Sequence, residues 1–86
     1  MELYLDVTSF DEQLFKGKVN KVLLPGTLGP FTILPHHAPI ISSLTSGNLE
    51  YVDDEGTHSI IIPGGFVEYS DGKVTVCVAQ LIGLGK

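Results

Sequence analysis

Residues 58–80 read HSIIIPGGFVEYSDGKVTVCVAQ. From Lys73 to Gln80 apolar side chains fall on every second position. Val74, Val76 and Val78 line one face, and Thr75, Cys77 and Ala79 the other. Successive side chains of an extended strand point to opposite sides, so this period of two predicts a β-strand. Phe66, Val67 and Tyr69 form the strand before it, and Ser70-Asp71-Gly72 is a hairpin tip joining the two. His58 to Ile62 is a nearly continuous run of β-branched residues, which predicts a strand buried on both sides or nearly so. Pro63-Gly64-Gly65 turns the chain between them. Cys77 stands between valines with no flanking cation or histidine, which predicts an inert small core residue.

The same period runs outward from this stretch. In Glu2 to Thr8, Leu3, Leu5 and Val7 alternate with Tyr4 and Asp6, giving a half-buried strand. Ser9 to Glu12 carries turn formers. A β region opens at Leu14-Phe15 and continues through Val19, Val22, Leu23 and Leu24, with Gly17 as its expected bulge or twist point. Pro25-Gly26 ends it. A short strand, Phe31 to Leu34, lies between Gly29-Pro30 and Pro35, and His36-His37-Ala38 is a corner held by Pro35 and Pro39. Ile40 to Leu44 is extended, Ser46-Gly47-Asn48 turns, and Leu49, Tyr51 and Val52 lead to a polar tip at Asp53-Asp54-Glu55-Gly56. No window has a helical period. Short strands broken by Gly, Pro and Asp turns at this spacing predict an all-β sandwich or barrel.

The composition narrows the function. Eighty-six residues, 43% of them hydrophobic and 17% charged, suit one folded domain rather than a disordered chain. A chain of this length buries only about 60–65% of its extended surface, as modules that dock on something larger often do. The net charge is -5, with five lysines and no arginine, so the surface repels nucleic acid and anionic lipid. One cysteine excludes a disulfide framework and a cysteine-based zinc site. No run of about 18 apolar residues could cross a bilayer as a helix. MELYLDV lacks the basic and apolar regions of a secretion signal, which points to a cytosolic-side protein.

Candidate chemistry is sparse. Adjacent histidines such as His36 and His37 point to opposite sides of an extended chain, so they rarely serve one metal ion, and His58 is distant in sequence. Ser42, Ser43, His37 and Asp53 supply the residue types of a hydrolase triad, yet no G-x-S-x-G elbow presents a nucleophile. Pro25-Gly26-x-x-Gly29 and Pro63-Gly64-Gly65 match no phosphate-binding pattern and read as turns. The sequence therefore points to no catalytic residue, cofactor or metal. Leu28-Gly29-Pro30-Phe31 and the loop from Pro35 to Pro39 are rigid and uncharged. They read equally as tight turns and as docking elements, the latter because little conformational entropy is lost on binding.

From Phe15 to Leu49 the chain reads FKGKVNKVLLPGTLGPFTILPHHAPIISSLTSGNL. It carries F-x-G-x-V at Phe15-Gly17-Val19, PG-x-x-G at Pro25-Gly26-Gly29, LP-x-HAP at Leu34-Pro35-His37-Ala38-Pro39, and G-x-L at Gly47-Leu49. Leu5-Asp6-Val7, Gly64-Gly65-Phe66-Val67-Glu68 and Val74-Thr75-Val76 add an opening strand and a closing hairpin. In this order the motifs resemble the epsilon subunit of bacterial F-type ATP synthases (delta in mitochondria), from about Leu3 to Ala79. The resemblance implies a flattened β-sandwich of about ten short strands in two mostly antiparallel sheets, spanning 1–80, with 81–86 a loosely ordered tail. It implies a non-catalytic rotor subunit in the central stalk, peripheral on the cytoplasmic face of the bacterial inner membrane. Such a subunit helps couple proton or sodium-ion flow to ATP synthesis. Carried over by position, Ser9, His37, Ala38 and Pro39 contact the gamma subunit, and Thr27, Leu28, Gly29, Pro30 and Phe31 contact the polar loops of the c-ring.

Three positions depart from the family pattern. Pro30 replaces an acidic residue, so the c-ring contact must be apolar or use backbone groups. Thr32 and His36 replace glycines, which implies locally different backbone or rim chemistry. The chain also shows no helical period after Gln80, so the two-helix hairpin of most members, which restrains hydrolysis and in some members binds ATP, is not expected here. Two competing readings carry their own conditions. An unrelated small β-barrel interaction module would expose an aromatic strip of Tyr51, Phe66 and Tyr69. A small enzyme would need a pocket with a perturbed titrating group beside His36 or His37.

Overall fold

The computed structural model describes residues 2–79. Nine strands account for most of them: β1 (Leu3–Thr8), β2 (Gln13–Val19), β3 (Lys21–Leu24), β4 (Phe31–Ile33), β5 (Ile40–Leu44), β6 (Gly47–Asp53), β7 (Gly56–Ile62), β8 (Gly65–Ser70) and β9 (Lys73–Val78). They form a five-stranded sheet in the order β2-β1-β9-β8-β5 and a four-stranded sheet in the order β4-β3-β6-β7. Pairing is antiparallel except between β1 and β9, which run parallel from Tyr4↔Lys73 to Thr8↔Cys77. The all-β fold is what the alternating pattern predicts, and of the sandwich and barrel it left open, the structure is the two-sheet sandwich that the resemblance implies. The tail expected at 81–86 lies outside the described residues.

The inward face of each sheet is the apolar half of the alternation. Leu3, Leu5, Val7, Val67, Tyr69, Val74 and Val76 from the five-stranded sheet close on Val22, Leu24, Ile33, Leu49, Tyr51 and Ile62 from the other. Complete burial of such a side chain contributes about 1.5–3 kcal/mol, so this seam supplies most of the fold's favourable free energy. The β8–β9 hairpin turns through Asp71 (φ 50°) and Gly72 (φ 81°). Positive φ at both central residues is the mark of the I′ turn, whose twist matches that of the strands.

Four local expectations are corrected. The β region from Leu14 to Leu24 divides at Asn20. There the chain leaves the five-stranded sheet for the four-stranded one, and the Asn20 amide donates to the Val52 carbonyl at 2.6 Å. Gly17 is in regular register with Leu5, and the irregularity lies between Val7↔Phe15 and Thr8↔Gln13. The lack of a side chain at Gly17 instead leaves room for the Phe15 ring, which would lie 3.1 Å from a β-carbon there. The β-branched run of β7 is not buried on both sides: Ile62 is buried but Ile61 is 82% exposed. The strand lies at the edge of a two-layer sandwich, where one face of each sheet meets solvent. Cys77 is exposed for the same reason, on the outer face of β9.

Candidate docking surface

The register defines two ends of the slab. At the upper end β1 finishes at Thr8, level with Gln13 and Cys77, and β8 starts at Gly65 opposite Val78 and Leu44. At the lower end Leu3 pairs with Val19, Ser70 with Lys73, and Ile40 with Tyr69. The residues with expected partner contacts divide between these ends.

The turn after β3 is at the upper end and is fixed mainly by backbone bonds, with the Thr27 hydroxyl also bonded to Ser43. Gly26 forms an isolated bridge with Leu44. The Thr27 amide donates to the Ser43 carbonyl at 3.2 Å, Thr45 to Pro25 at 2.8 Å, and Gly29 to Gly26 at 3.0 Å. Through these bonds the four-stranded sheet is stitched to the end of β5 in the other sheet. A β-carbon on buried Gly26 would sit 2.7 Å from the Gly29 carbonyl oxygen and 2.8 Å from the Phe31 ring, so only glycine fits. Gly29 takes φ 131° with nothing packed on it. Thr27, Leu28, Gly29 and Pro30 are all exposed, Leu28 completely, and Phe31 is half-buried. The structure thus groups these five residues into one apolar tip without an ionisable side chain.

The corner before β5 is at the lower end. The His37 amide donates to the Leu34 carbonyl at 3.1 Å, closing a turn with Pro35 and His36 at its centre. His36 has φ 73°, as the third residue of a type II turn requires, and glycine is favoured there. A histidine here thus holds a conformation that glycine adopts most easily. The His37 ring lies edge-on to Tyr69, with centroids 5.9 Å apart and planes at 89°. Its Nδ1 is 2.7 Å from the Ala38 carbonyl oxygen, and donates to it in the Nδ1–H tautomer. His37 thereby caps the lower edge of the core beside buried Tyr69, while His36, Ala38 and Pro39 are exposed.

Ser9 is not beside that corner. It follows Thr8 at the upper end, where its amide donates to the Glu12 carbonyl at 2.9 Å. Ile40, next to the corner, is level through Tyr69 and Val74 with Leu5. Four residues of β1, roughly 13 Å of extended chain, separate Leu5 from Ser9. The positions expected to meet gamma therefore belong to opposite ends of the five-stranded sheet.

Between them runs a feature that sequence reasoning missed. On the outer face, Ser43, Phe66, Cys77 and Thr8 stand side by side across β5, β8, β9 and β1, and Ile41 lies diagonal to Phe66. Ile41 is 77% exposed, Phe66 63%, and Cys77 is exposed. They line an open groove of about 240 Å³ with Val67, Glu68 and Thr75. The strip starts two residues past Pro39 and ends beside Thr8, next to Ser9 and the 83% exposed Phe10. The signal lay in the alternation itself. Ile41 and Phe66 are out of phase with the buried positions of their strands, and so had to face outward.

The corner with His36 and His37 lines an open groove of about 420 Å³ with Tyr69 and Asp71, not the enclosed pocket a small enzyme would need. Tyr51 and Tyr69 are buried and only Phe66 is exposed, so no aromatic strip forms from the three. Tyr51 stacks between Phe15 at 4.2 Å and His58 at 5.0 Å. Burial, then the Asp53 carboxylate, pushes its hydroxyl pKa up. Asp53 is at the β6–β7 tip, where His58 Nε2 lies 2.9 Å from its Oδ1 and the Glu55 amide donates to the same oxygen. The His58 bond first, and then that amide, hold the Asp53 carboxyl below the usual carboxylate range. Ser43 is across the slab, bonded to Thr27, and His37 faces Tyr69, so the candidate triad residues do not meet. Among the described residues no three His, Cys, Asp or Glu are arranged to hold a metal ion.

Comparison with known proteins agrees with this architecture. The family described as "ATP synthase, Delta/Epsilon chain, beta-sandwich domain" matches residues 2–83. The ATP synthase epsilon chain of Nitratidesulfovibrio vulgaris (strain DSM 19637 / Miyazaki F) is 45% identical over 74 residues, covering 86% of this chain and 55% of that protein. The epsilon chain of Bordetella parapertussis is 43% identical over 75 residues, again 86% of this chain and 54% of the relative. The chain thus spans about half the length of the curated relatives it matches. A chain in the cryo-EM structure of the Euglena gracilis mitochondrial ATP synthase, OSCP/F1/c-ring, superposes with a TM-score of 0.84 at 25% identity, over 99% of this chain and 55% of that one. One in the central stalk/c-ring structure of the Tetrahymena thermophila mitochondrial enzyme gives 0.77 at 10% identity, over 93% and 65%, a likeness of fold alone. A family match over nearly the whole chain, on a sandwich that keeps the glycine-built turn and the histidine corner, makes this chain a member of the ATP synthase delta/epsilon β-sandwich family.

Proposed function

We propose that this chain is a non-catalytic rotor subunit of an F-type ATP synthase, seated between the gamma subunit and the c-ring. In that position it helps couple proton or sodium-ion flow to ATP synthesis, on the cytoplasmic face of the bacterial inner membrane. The sandwich of residues 1–80 is the docking module. The observation that carries this reading is the apolar strip of Ile41, Phe66 and Cys77 on the outer face of the five-stranded sheet. It joins the Ser9 loop to the His37-Ala38-Pro39 corner, making two distant sets of residues one continuous gamma-facing surface. Contiguous exposed apolar area on a small acidic domain is costly to leave in water, and it marks a protein contact. The tip at Thr27, Leu28, Gly29, Pro30 and Phe31 serves as the c-ring contact. With Pro30 at the usual acidic position, it meets the loops through Leu28 and backbone groups.

Binding of the chain to purified gamma subunit tests the reading. Phe66→Glu and Ile41→Glu should each weaken the complex by about 1–3 kcal/mol, as removal of a central interface contact does. Both side chains already face solvent, so the variants should keep the parent's thermal midpoint. Undiminished gamma binding by both variants would remove this face from the interface.

A further inference from the structure

Three open grooves beside β5 and β8 run into one another. The corner groove of about 420 Å³, where His36 and Asp71 lie, shares Pro39 and Tyr69 with a second of about 340 Å³. That one shares Ile41 and Glu68 with the groove of about 240 Å³ at Phe66 and Cys77. Together they form one furrow from the histidine corner at the lower end to the apolar strip above.

The fixed charges along this furrow have one sign. Glu68 and Asp71 are the carboxylates that line it, and no lysine lines any of its three parts. Both carboxylates are exposed, and neither forms an ion pair among the described residues. The lysines of the same sheet lie outside the furrow. Lys16 and Lys18 are on β2 at the far edge, and Lys18 is 3.4 Å from Glu2. Lys73 stands on β9 between Tyr4 and Ser70.

We propose that the furrow receives a basic stretch of the gamma subunit, with an apolar side chain over Ile41 and Phe66 and cationic side chains at Glu68 and Asp71. This rests on the reading that this face meets gamma, and it adds the sign of the partner's charge. A chain of net charge -5 attracts a basic surface from a distance and repels an acidic one. Inside the furrow an acidic side chain would meet two uncompensated carboxylates and no cation. Pro39 and Ile41 offer apolar walls between those carboxylates. Lysine and arginine suit such a site, because their methylene stems cover apolar surface while the charged end stays in water or on an acid. Glu68 and Asp71 are three residues apart, within roughly 10 Å, so two cations at a similar spacing satisfy both.

The test is binding of purified gamma to the chain at a series of salt concentrations, with the association rate measured. The parent's affinity should fall as salt rises. Glu68→Gln and Asp71→Asn should each weaken binding about three- to tenfold at low salt, mainly through slower association, and the deficit should shrink at high salt. Asparagine accepts the left-handed backbone of Asp71 (φ 50°), and Glu68 already faces solvent, so both variants should keep the parent's thermal midpoint. Asp54→Asn removes the same charge from the exposed β6–β7 tip and should bind gamma as the parent does. Undiminished binding by both furrow variants, tighter binding by either, or an equal loss with Asp54→Asn would overturn the proposal. If Phe66→Glu loses gamma while the furrow variants do not, the gamma-facing reading stands and the charge assignment falls. If the parent chain does not bind gamma, the two fall together.

Discussion

The upper turn at Pro25 to Phe31 and the lower corner at Leu34 to Pro39 are both proline-bearing loops joining the same short strand to its neighbours, yet they are held by different physics. The turn is fixed by main-chain bonds to β5 and by a glycine with no room for a β-carbon. Apart from the Thr27 hydroxyl, which bonds Ser43, and the half-buried Phe31 ring, its side chains are left free, and Leu28 is fully exposed. The corner is closed by one main-chain bond and anchored by a side chain: His37 packs on Tyr69 and bonds the next carbonyl. It also holds a non-glycine residue in a left-handed conformation at His36. A contact surface can therefore be stiffened in two ways. One keeps an apolar side chain, Leu28, available to a partner, and the other spends the His37 ring on the fold.

The sharpest way to break this contrast is Gly26→Ala. Its β-carbon would collide with the Gly29 carbonyl and the Phe31 ring, and overpacking of this kind costs about 1–3 kcal/mol. Urea unfolding should show a loss at the upper end of that range, because one of the colliding atoms is backbone. A loss under about 0.5 kcal/mol, the scatter of ordinary surface changes, would mean the turn yields and is not fixed by its main chain. His37→Ala should cost about 0.5–1.5 kcal/mol, the value of an edge-on aromatic pair. His37→Phe keeps the ring and should recover most of it. If neither variant changes the unfolding midpoint, the corner is held by its prolines instead.

Smaller effects sharpen the comparison. His36→Gly relieves a left-handed conformation that costs roughly 1–2 kcal/mol, offset by about 0.5–1 kcal/mol of backbone freedom in the unfolded chain. A net gain of a few tenths to 1 kcal/mol is expected, and a loss would show that the imidazole is held by contacts of its own. Leu28→Ser should be the mildest change, within about 0.5 kcal/mol of the parent in stability. In a reconstituted complex the same variant should reduce retention on the c-ring. Unchanged retention would remove Leu28 from that contact.

Much of this molecule could be read from its residues. Val74, Val76, Leu3, Leu5 and Val7 declared their inward faces through strict alternation. Asp71-Gly72 and Asp53 to Gly56 declared hairpins, because few residues accept their backbone conformations. The motif string located the turn and the corner. Burial in the β-branched run and at Cys77 was misread. A local run of valines or isoleucines states that a residue prefers a pleated surface, not whether a second layer covers it.

Local preference, period and turn chemistry are properties of neighbouring residues, so the sequence alone determined the strands, the inward face and the fold class. Layer order, edges and distances between loops depend on which strands pair across the chain, and no local pattern encodes that. Only the tertiary structure could therefore place Ser9 and His37 at opposite ends and join Ile41, Phe66 and Cys77 into one strip between them.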